Sequence, residues 1–544
     1  MAQPLKQFQH TAYQSTHTEF EPVLLEWQDL LGKQNVSSKK ADLDRYACTC
    51  GGHDRYPRAI LKPANQQELI NLLKIARENS VAIYPISRGK NWGYGSAAPT
   101  AENCVIVDLS RMNRIIKIDK ELAYVVIEPG VTQEQLYDYI KHHAPNLYMD
   151  ATGASPQASI IGNLVERGFG QTPYSDRFMH SAGMEILLSD GRILQTGFGR
   201  FEGAKTTHLF KWGIGPFLDG IFTQSNFGIV TKVGIWLMPK PQCQGVLLIR
   251  FKTDQELLRN IDSLRTLKLR GLLPSAVHIV NDLRVISTLQ GYPFQEMNQE
   301  FPLSEQALAK LRRTWGVGAW NCVAGIQGSK RQVRAALKDI REQLGSKVTA
   351  RFISDSLINF LERHDWLYKV FASKVKPRLA LLDLVKGIPT NAALRGMYWR
   401  VKQQPENSDY DPIRDDCGLL WISPVIPMTA DDLEHFTKIS RRVFEQHKLE
   451  TNIAVSLLAE RALCCTVGIA FDRSDATQLE LAQSCHRALA KAYFEAGYPP
   501  YRMSNDSSAY RQTQEFSVFE EVCSQLKKVL DPDGIIAPLR YGIK

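Results

Sequence analysis

The feature that most constrains this chain is a short apolar run, residues 81–86, which feeds directly into Ser87-Arg-Gly-Lys-Asn-Trp-Gly-Tyr-Gly-Ser96. Three glycines within seven residues open backbone conformations that side chains close, and amides turned toward one point make a nest for an anion. A strand delivering such a loop serves either as a tight turn or as a phosphate site. The spacing matches neither the G-x-G-x-x-G dinucleotide fingerprint nor a Walker loop, so neither of those folds is implied.

The surrounding sequence alternates short strands with helices. Residues 59–63 are apolar and end at Pro63, and 66–79 carry Leu69, Leu72, Leu73 and Ile75 at helical spacing. Runs rich in Val and Ile follow at 104–109, 115–118 and 123–128, before Pro129-Gly130 turns the chain and Thr132 caps a helix over 133–143. Residues 184–197 read as a hairpin turning at Asp190-Gly191. Residues 228–238 read as a second strand pair, closed by Pro239-Lys-Pro241, the expected boundary between two lobes. Beyond it a strand is expected at 246–251 and helices at 255–267, 305–314 and 331–344. This order predicts an α+β fold rather than a regular doubly wound one, and 544 residues exceed what one core of ordinary size holds.

The charge balance narrows the function. The net charge is +9, yet Lys and Arg are dispersed among 57 acidic residues with no basic run, which argues against nucleic acid and suits an anionic ligand such as a dinucleotide pyrophosphate. No apolar stretch approaches the roughly 20 residues that cross a bilayer, and the opening MAQPLKQFQH lacks the apolar core of a signal peptide. A cytoplasmic protein with no membrane contact is expected, its ten cysteines reduced. Cys48, Cys50 and His53 lack a second ligand pair, so no metal is expected.

A second small-residue segment, Ala158-Ser-Ile-Ile-Gly-Asn163, continues into Glu166-Arg-Gly-Phe-Gly170 and Thr172-Pro-Tyr-Ser-Asp176. It suits either close packing or backbone approach to a flat polar ring. With PISRGKNWGYGSAAP (85–99), IEPGVT (127–132), GNLVERGFGQTPYSDRF (162–178), HSAGMEILLSDG (180–191), the run 213–241 and DPDGIIAP (531–538), the chain resembles the vanillyl-alcohol oxidase and p-cresol methylhydroxylase family of flavoproteins.

That resemblance implies an FAD-binding domain over 1–241, completed by a returning tail at 497–544, and a substrate-capping domain over 242–496. It implies FAD held by Ser87, Arg88, Gly89, Lys90, Asn91, Gly93, Tyr94, Gly95 and Ser96, by Ser159, Gly162 and Asn163, by Gly228, Ile229 and Val230 near the adenine, and by Arg540 from the tail. The family's phenol oxidases hold a phenolate with two tyrosines and an arginine, and Tyr94, Tyr501 and Arg502 fill those positions. Hydroxyls and a guanidinium stabilise an oxyanion, which makes the para substituent a better hydride donor.

Three positions depart from the family. Ala154, with Ser155 next, stands where the phenol oxidases carry an acid, and Asp150 is four residues out of register. Gln171 replaces a tyrosine. Cys465 replaces the histidine that carries covalent flavin in vanillyl-alcohol oxidase, so non-covalent FAD is expected, although a cysteine link is chemically open. His53 precedes the first strand and is a candidate neighbour of the flavin. The expected activity is hydride transfer to FAD from a para-substituted phenol or related hydroxylated substrate, with O2 as acceptor. The alternatives are oxidative decarboxylation of a hydroxy acid, a cytochrome-coupled dehydrogenase, or a flavin-binding protein without catalysis. The expected partners are a small aromatic or carboxylated substrate and further copies of the chain in a homo-oligomer.

Overall fold

The computed structural model describes residues 20–298, 300–345, 348–358, 382–405, 409–505 and 517–543. The opening MAQPLKQFQH lies outside them. The first sheet has the order Val36–Ser37, Ala59–Leu61, Val105–Asp108, Ile83–Ile86, parallel except at its first pair. Asn65 caps the helix Gln66–Glu78 by accepting from the Glu68 amide, and Leu69, Leu72, Leu73 and Ala76 bury its apolar stripe. Each such leucine contributes about 1.5–3 kcal/mol. The sheet delivers Ile83–Ile86 to the glycine loop, and Ile536 bridges to Ile83 alongside it.

A second, antiparallel sheet runs Ile115–Asp119, Tyr124–Ile127, Ile229–Trp236, Ser181–Leu187, Ile193–Gln195. The hairpin at Asp190-Gly191 forms as expected, with Gly191 at φ +86°. The strand pair expected over 228–238 does not form. Ile229–Trp236 is one continuous strand at the centre of this sheet, and Met238–Pro239 pairs separately with Leu147–Tyr148. At Gly234, within that strand, a Cβ would lie 2.6 Å from His208 and 2.7 Å from the Ala182 carbonyl. The glycine serves a close approach, not a reversal.

The third sheet is antiparallel, with the order Thr349–Ser354, Cys243–Phe251, Trp320–Gly328, Val277–Asn281, Asn452–Leu457, Ala462–Asp472, Cys417–Ile422, and Val425–Pro427 paired to Ala462–Asp472. One face packs into a core with the helices Asp254–Leu269, Lys330–Leu344, Ala430–Gln446 and Ala476–Glu495. Side chains alternate across a strand. Thus Leu420 and Ile422, Ile453, Val455 and Leu457, and Cys465 and Val467 enter that core, while Leu419, Trp421, Ala454, Ser456 and Thr466 line a cavity on the other side. The whole is an α+β fold. Among the described residues no helix is long and apolar enough to cross a membrane.

Candidate active site

The cavity, of about 420 Å³, is lined by both small-residue segments and by the third sheet. Residues 87–91 form part of its wall, and among the described residues their five backbone amides donate to no protein acceptor. Successive amides left unpaired within a protein require an external acceptor, and a curved loop aims them at one anion. Gly89 adopts φ +63°. Gly93 and Gly95 do not line the cavity: a Cβ on Gly93 would collide with the Trp421 ring, and one on Gly95 with Asn505. Their part is to let the loop pack closely. Ser159 fixes the second segment, accepting from the Gly162 amide at 2.9 Å and donating to the Pro129 carbonyl at 2.6 Å. A Cβ at Gly162 would press on Ser87 at 3.3 Å, so the two segments meet there. Asn163, Gly228, Ile229, Val230 and Arg540 also face the cavity.

Tyr94 and the adjacent pair Tyr501 and Arg502, more than 400 positions later in sequence, line the same cavity. The Arg502 guanidinium lies 4.3 Å from the centre of the Tyr94 ring and donates to Asn91. The Tyr94 hydroxyl shares a hydrogen bond with Ser423. Burial pushes the Tyr94 hydroxyl up against the opposing pull of Arg502, and burial followed by Tyr94 lifts Tyr501 further. Both tyrosines therefore remain protonated donors at neutral pH.

Glu166 is the electrostatic hub beneath them. It pairs with Arg540 at 2.5 Å and Arg502 at 3.5 Å and accepts from the Tyr541 hydroxyl at 2.5 Å. Burial alone would raise its carboxyl, but Arg540 and then Arg502 overcome that and hold it below the usual value. Burial weighs equally against the charge on Arg502, and Glu166 overrides it.

Ala154 and Gln171 both line the cavity, so the departures from the family pattern fall on its wall. Asp150 is no substitute acid. Its Oδ1 accepts from Thr172 Oγ1 at 2.6 Å and from two amides, and its Oδ2 from Arg177 Nε at 3.0 Å. Cys465 points into the helix-packed core, on the opposite side of its strand from Thr466, and burial raises its thiol well above the ordinary range. A flavin link at that position would have to cross the sheet. His53 lies outside the cavity lining, its amide bonded to Thr49. The Cys48 thiol faces Asp54 and the Cys50 thiol faces Ser96, so the two diverge. Among the described residues no group of three or more His, Cys, Asp or Glu is placed to hold a metal ion.

A family profile described as an FAD binding domain matches residues 57–197. Over 537 residues the chain is 36% identical to a 1'-carboxy-chondrochloren decarboxylase of Chondromyces crocatus, covering 96% of this chain and 97% of that protein. It is 30% identical over 533 residues to the flavoprotein subunit of 4-cresol dehydrogenase (hydroxylating) of Pseudomonas putida, covering 97% and 96%. The fold matches a crystal structure of p-cresol methylhydroxylase with substrate bound at a TM-score of 0.86 and 28% identity, covering 98% of each chain. The chain belongs to the p-cresol methylhydroxylase family of FAD-dependent oxidoreductases.

The cavity of this p-cresol methylhydroxylase relative fits its cofactor. The unpaired amides of 87–91 would supply donors for a pyrophosphate, and the glycine-relieved approaches would leave space for a flat ring system. Two further polar residues face the cavity that family motifs did not reveal. His278, on the strand Val277–Asn281, bonds Ser456 through Nδ1 at 2.8 Å, and burial pushes its imidazole down to about 4, so it is neutral at physiological pH. Arg284, in the first turn of the helix Asp282–Leu289, lies over the Trp421 ring at 4.8 Å. The available signal was positional: His278 falls on the cavity side of its strand, and Arg284 follows where that strand ends.

Proposed function

We propose that the protein oxidises a para-substituted phenol at its benzylic carbon, with O2 as the final acceptor. The observation that carries this reading is the convergence of Tyr94, Tyr501 and Arg502 on one cavity. FAD, when bound, supplies the acceptor for the hydride. The amides of 87–91 would hold its pyrophosphate, and the segments at 159–163 and 228–230 with Arg540 would complete its site, without a covalent link. Tyr94 and Tyr501 would donate to the phenolate oxygen and Arg502 would match its charge, which raises electron density at the para position. The hydride transfer itself needs no separate base once the phenolate is bound. Residues 1–241 with 497–544 would then form the FAD-binding domain and 242–496 the cap.

A second reading keeps this first step and adds loss of CO2. Its support is Ala154. Trapping the oxidised substrate, a quinone methide, with water calls for a base near the reacting carbon, and here Asp150 is engaged by Arg177 and Glu166 by two arginines. Decarboxylation needs no base. The C–CO2 bond breaks, its electron pair forms the side-chain double bond, the ring regains aromaticity with the pair on the phenolate oxygen, and CO2 departs. The name of the Chondromyces crocatus relative is consistent with that outcome.

Anaerobic mixing of the holoprotein with a 4-alkylphenol tests the first step. Bleaching of the flavin band followed by recovery in air supports it; no bleaching with any 4-alkylphenol, carboxylated or not, removes it. Stoichiometric CO2 from a carboxylated phenol separates the second reading from the first. A cytoplasmic homo-oligomer completes the proposal; the oligomer is supported by the exposed side chains of Phe201, Phe210, Trp212 and Ile214, apolar surface suited to burial between copies.

A further inference from the structure

Arg284 is a cation in the cavity that the phenol-binding trio does not require. Its backbone is fixed firmly. Asn281 accepts from the Arg284 amide at 3.2 Å, donates to the Thr451 carbonyl at 2.7 Å and accepts from the Ile453 amide at 3.2 Å, tying the helix start to the neighbouring strand. The guanidinium is held by stacking on Trp421 and by Nη1 donating to Asn452 at 3.0 Å. A guanidinium has five N–H donors. Among the described residues Nε and Nη2 donate to no acceptor, and no Asp or Glu pairs with the charge.

A charge count around Tyr94 and Glu166 gives the same answer. Arg502 and Arg540 share one carboxylate, Glu166, and Arg284 adds a third cation that reaches Tyr94 electrostatically. His278 contributes no charge near neutral pH. Arg540 would be answered by Glu166 together with the anionic FAD, and a bound phenolate would answer Arg502, which leaves the charge on Arg284 without a partner among the described residues. Buried charge without a partner is costly, so a second anionic group on the ligand is called for, and a planar fork stacked on an indole is suited to a carboxylate.

We propose that Arg284 is the receptor for a carboxylate on the substrate's side chain, which makes the substrate class a para-alkylphenol bearing a carboxylic acid. This rests on the phenol-oxidation reading for the other end of the ligand. Arg284 then acts as a specificity residue: it selects the acid over the matching neutral phenol and fixes the side chain relative to the ring.

The test uses the holoprotein and two probes alike in ring and chain length, 3-(4-hydroxyphenyl)propanoate and 4-propylphenol. Rapid anaerobic mixing reads binding from the shift in flavin absorption and oxidation from the bleaching that follows. The expected result is about 100-fold tighter binding of the acid, falling to near parity in Arg284→Gln, as removing one partner of a desolvated ion pair implies. Arg284→Lys, which keeps a charge without the fork, should retain about a tenth of the preference and serves if the glutamine variant fails to load flavin. Equal affinities in the parent protein, an unaltered preference in Arg284→Lys, or an equal loss for both probes in Arg284→Gln overturns the assignment. The two readings fail separately. Bleaching by 4-propylphenol without preference for the acid leaves phenol oxidation standing and removes Arg284 from it. Arg284-dependent binding of the acid with no bleaching by either probe does the reverse.

Discussion

The two walls of the cavity recognise a ligand by different means. The wall of residues 84–96 and 158–171 offers main-chain amides and glycine-cleared space, whereas the sheet of Val277–Asn281, Asn452–Leu457, Ala462–Asp472 and Cys417–Ile422 offers side chains at alternate positions. The first is hard to vary, because each glycine is pinned by a neighbour such as Trp421, Asn505 or Ser87. On the second, His278, Ser456 and Thr466 can change without disturbing the core, since the residues between them carry the packing on the far face. One cavity can thereby hold a constant cofactor and a variable substrate.

Substitutions can break this division or sharpen it. Arg502→Ala should have the largest effect, lowering phenol turnover by about 10³-fold while flavin content stays at one per chain; flavin lost in parallel would show that the walls are not separable. Glu166→Gln comes next, because it strips the shared counter-charge from Arg502 and Arg540 and should cost about 3 kcal/mol in denaturant unfolding. The same residue sets an acid limit. Its carboxyl titrates below its unfolded value in the native protein, so the native state binds fewer protons across that range. The stability it gives is complete above about pH 4.5 and drains as pH falls through the depressed value. Glu166→Gln should flatten that acid slope.

Gly89→Val should be felt on the main-chain wall. At φ +63°, with a Cβ 2.9 Å from Ala97, it should weaken FAD retention by about 10- to 30-fold, read as flavin content after dialysis. Cys465→Ala should do least, costing about 1 kcal/mol of stability. Its flavin should remain extractable into acid supernatant, as in the parent protein; colour kept in the parent's pellet would contradict a non-covalent site.

What was legible in the sequence follows the same division. The strands and helices around the loop announce themselves through apolar runs and caps, and Asn65, Thr132 and Asp190-Gly191 act in the structure as their residue types imply. The glycine loops are contiguous motifs, so their joint place on one cavity wall could be read directly. The exceptions are instructive: Gly93 and Gly95 belong to the motif yet serve packing, and the strand pair expected over 228–238 is one strand whose Gly234 serves a close approach. Arg284, His278 and Glu166 were not singled out. Their partners, Trp421, Ser456 and Arg540, lie 137, 178 and 374 positions away, and no local pattern marks a pairing of that span.

The return of residues 535–543 to the first sheet bears on when the protein becomes competent. The Ile83 amide donates to the Ile535 carbonyl at 2.8 Å, the Ala537 amide to the Ile83 carbonyl at 2.7 Å, and Arg540 reaches Tyr84 across 456 positions. At about 5–20 residues per second of synthesis, the glycine loop waits on the order of half a minute or more for the segment that closes its site. Cofactor loading therefore awaits synthesis of this segment, and translation that stops short of Ile535 should yield a nascent protein with folded sheets and no flavin.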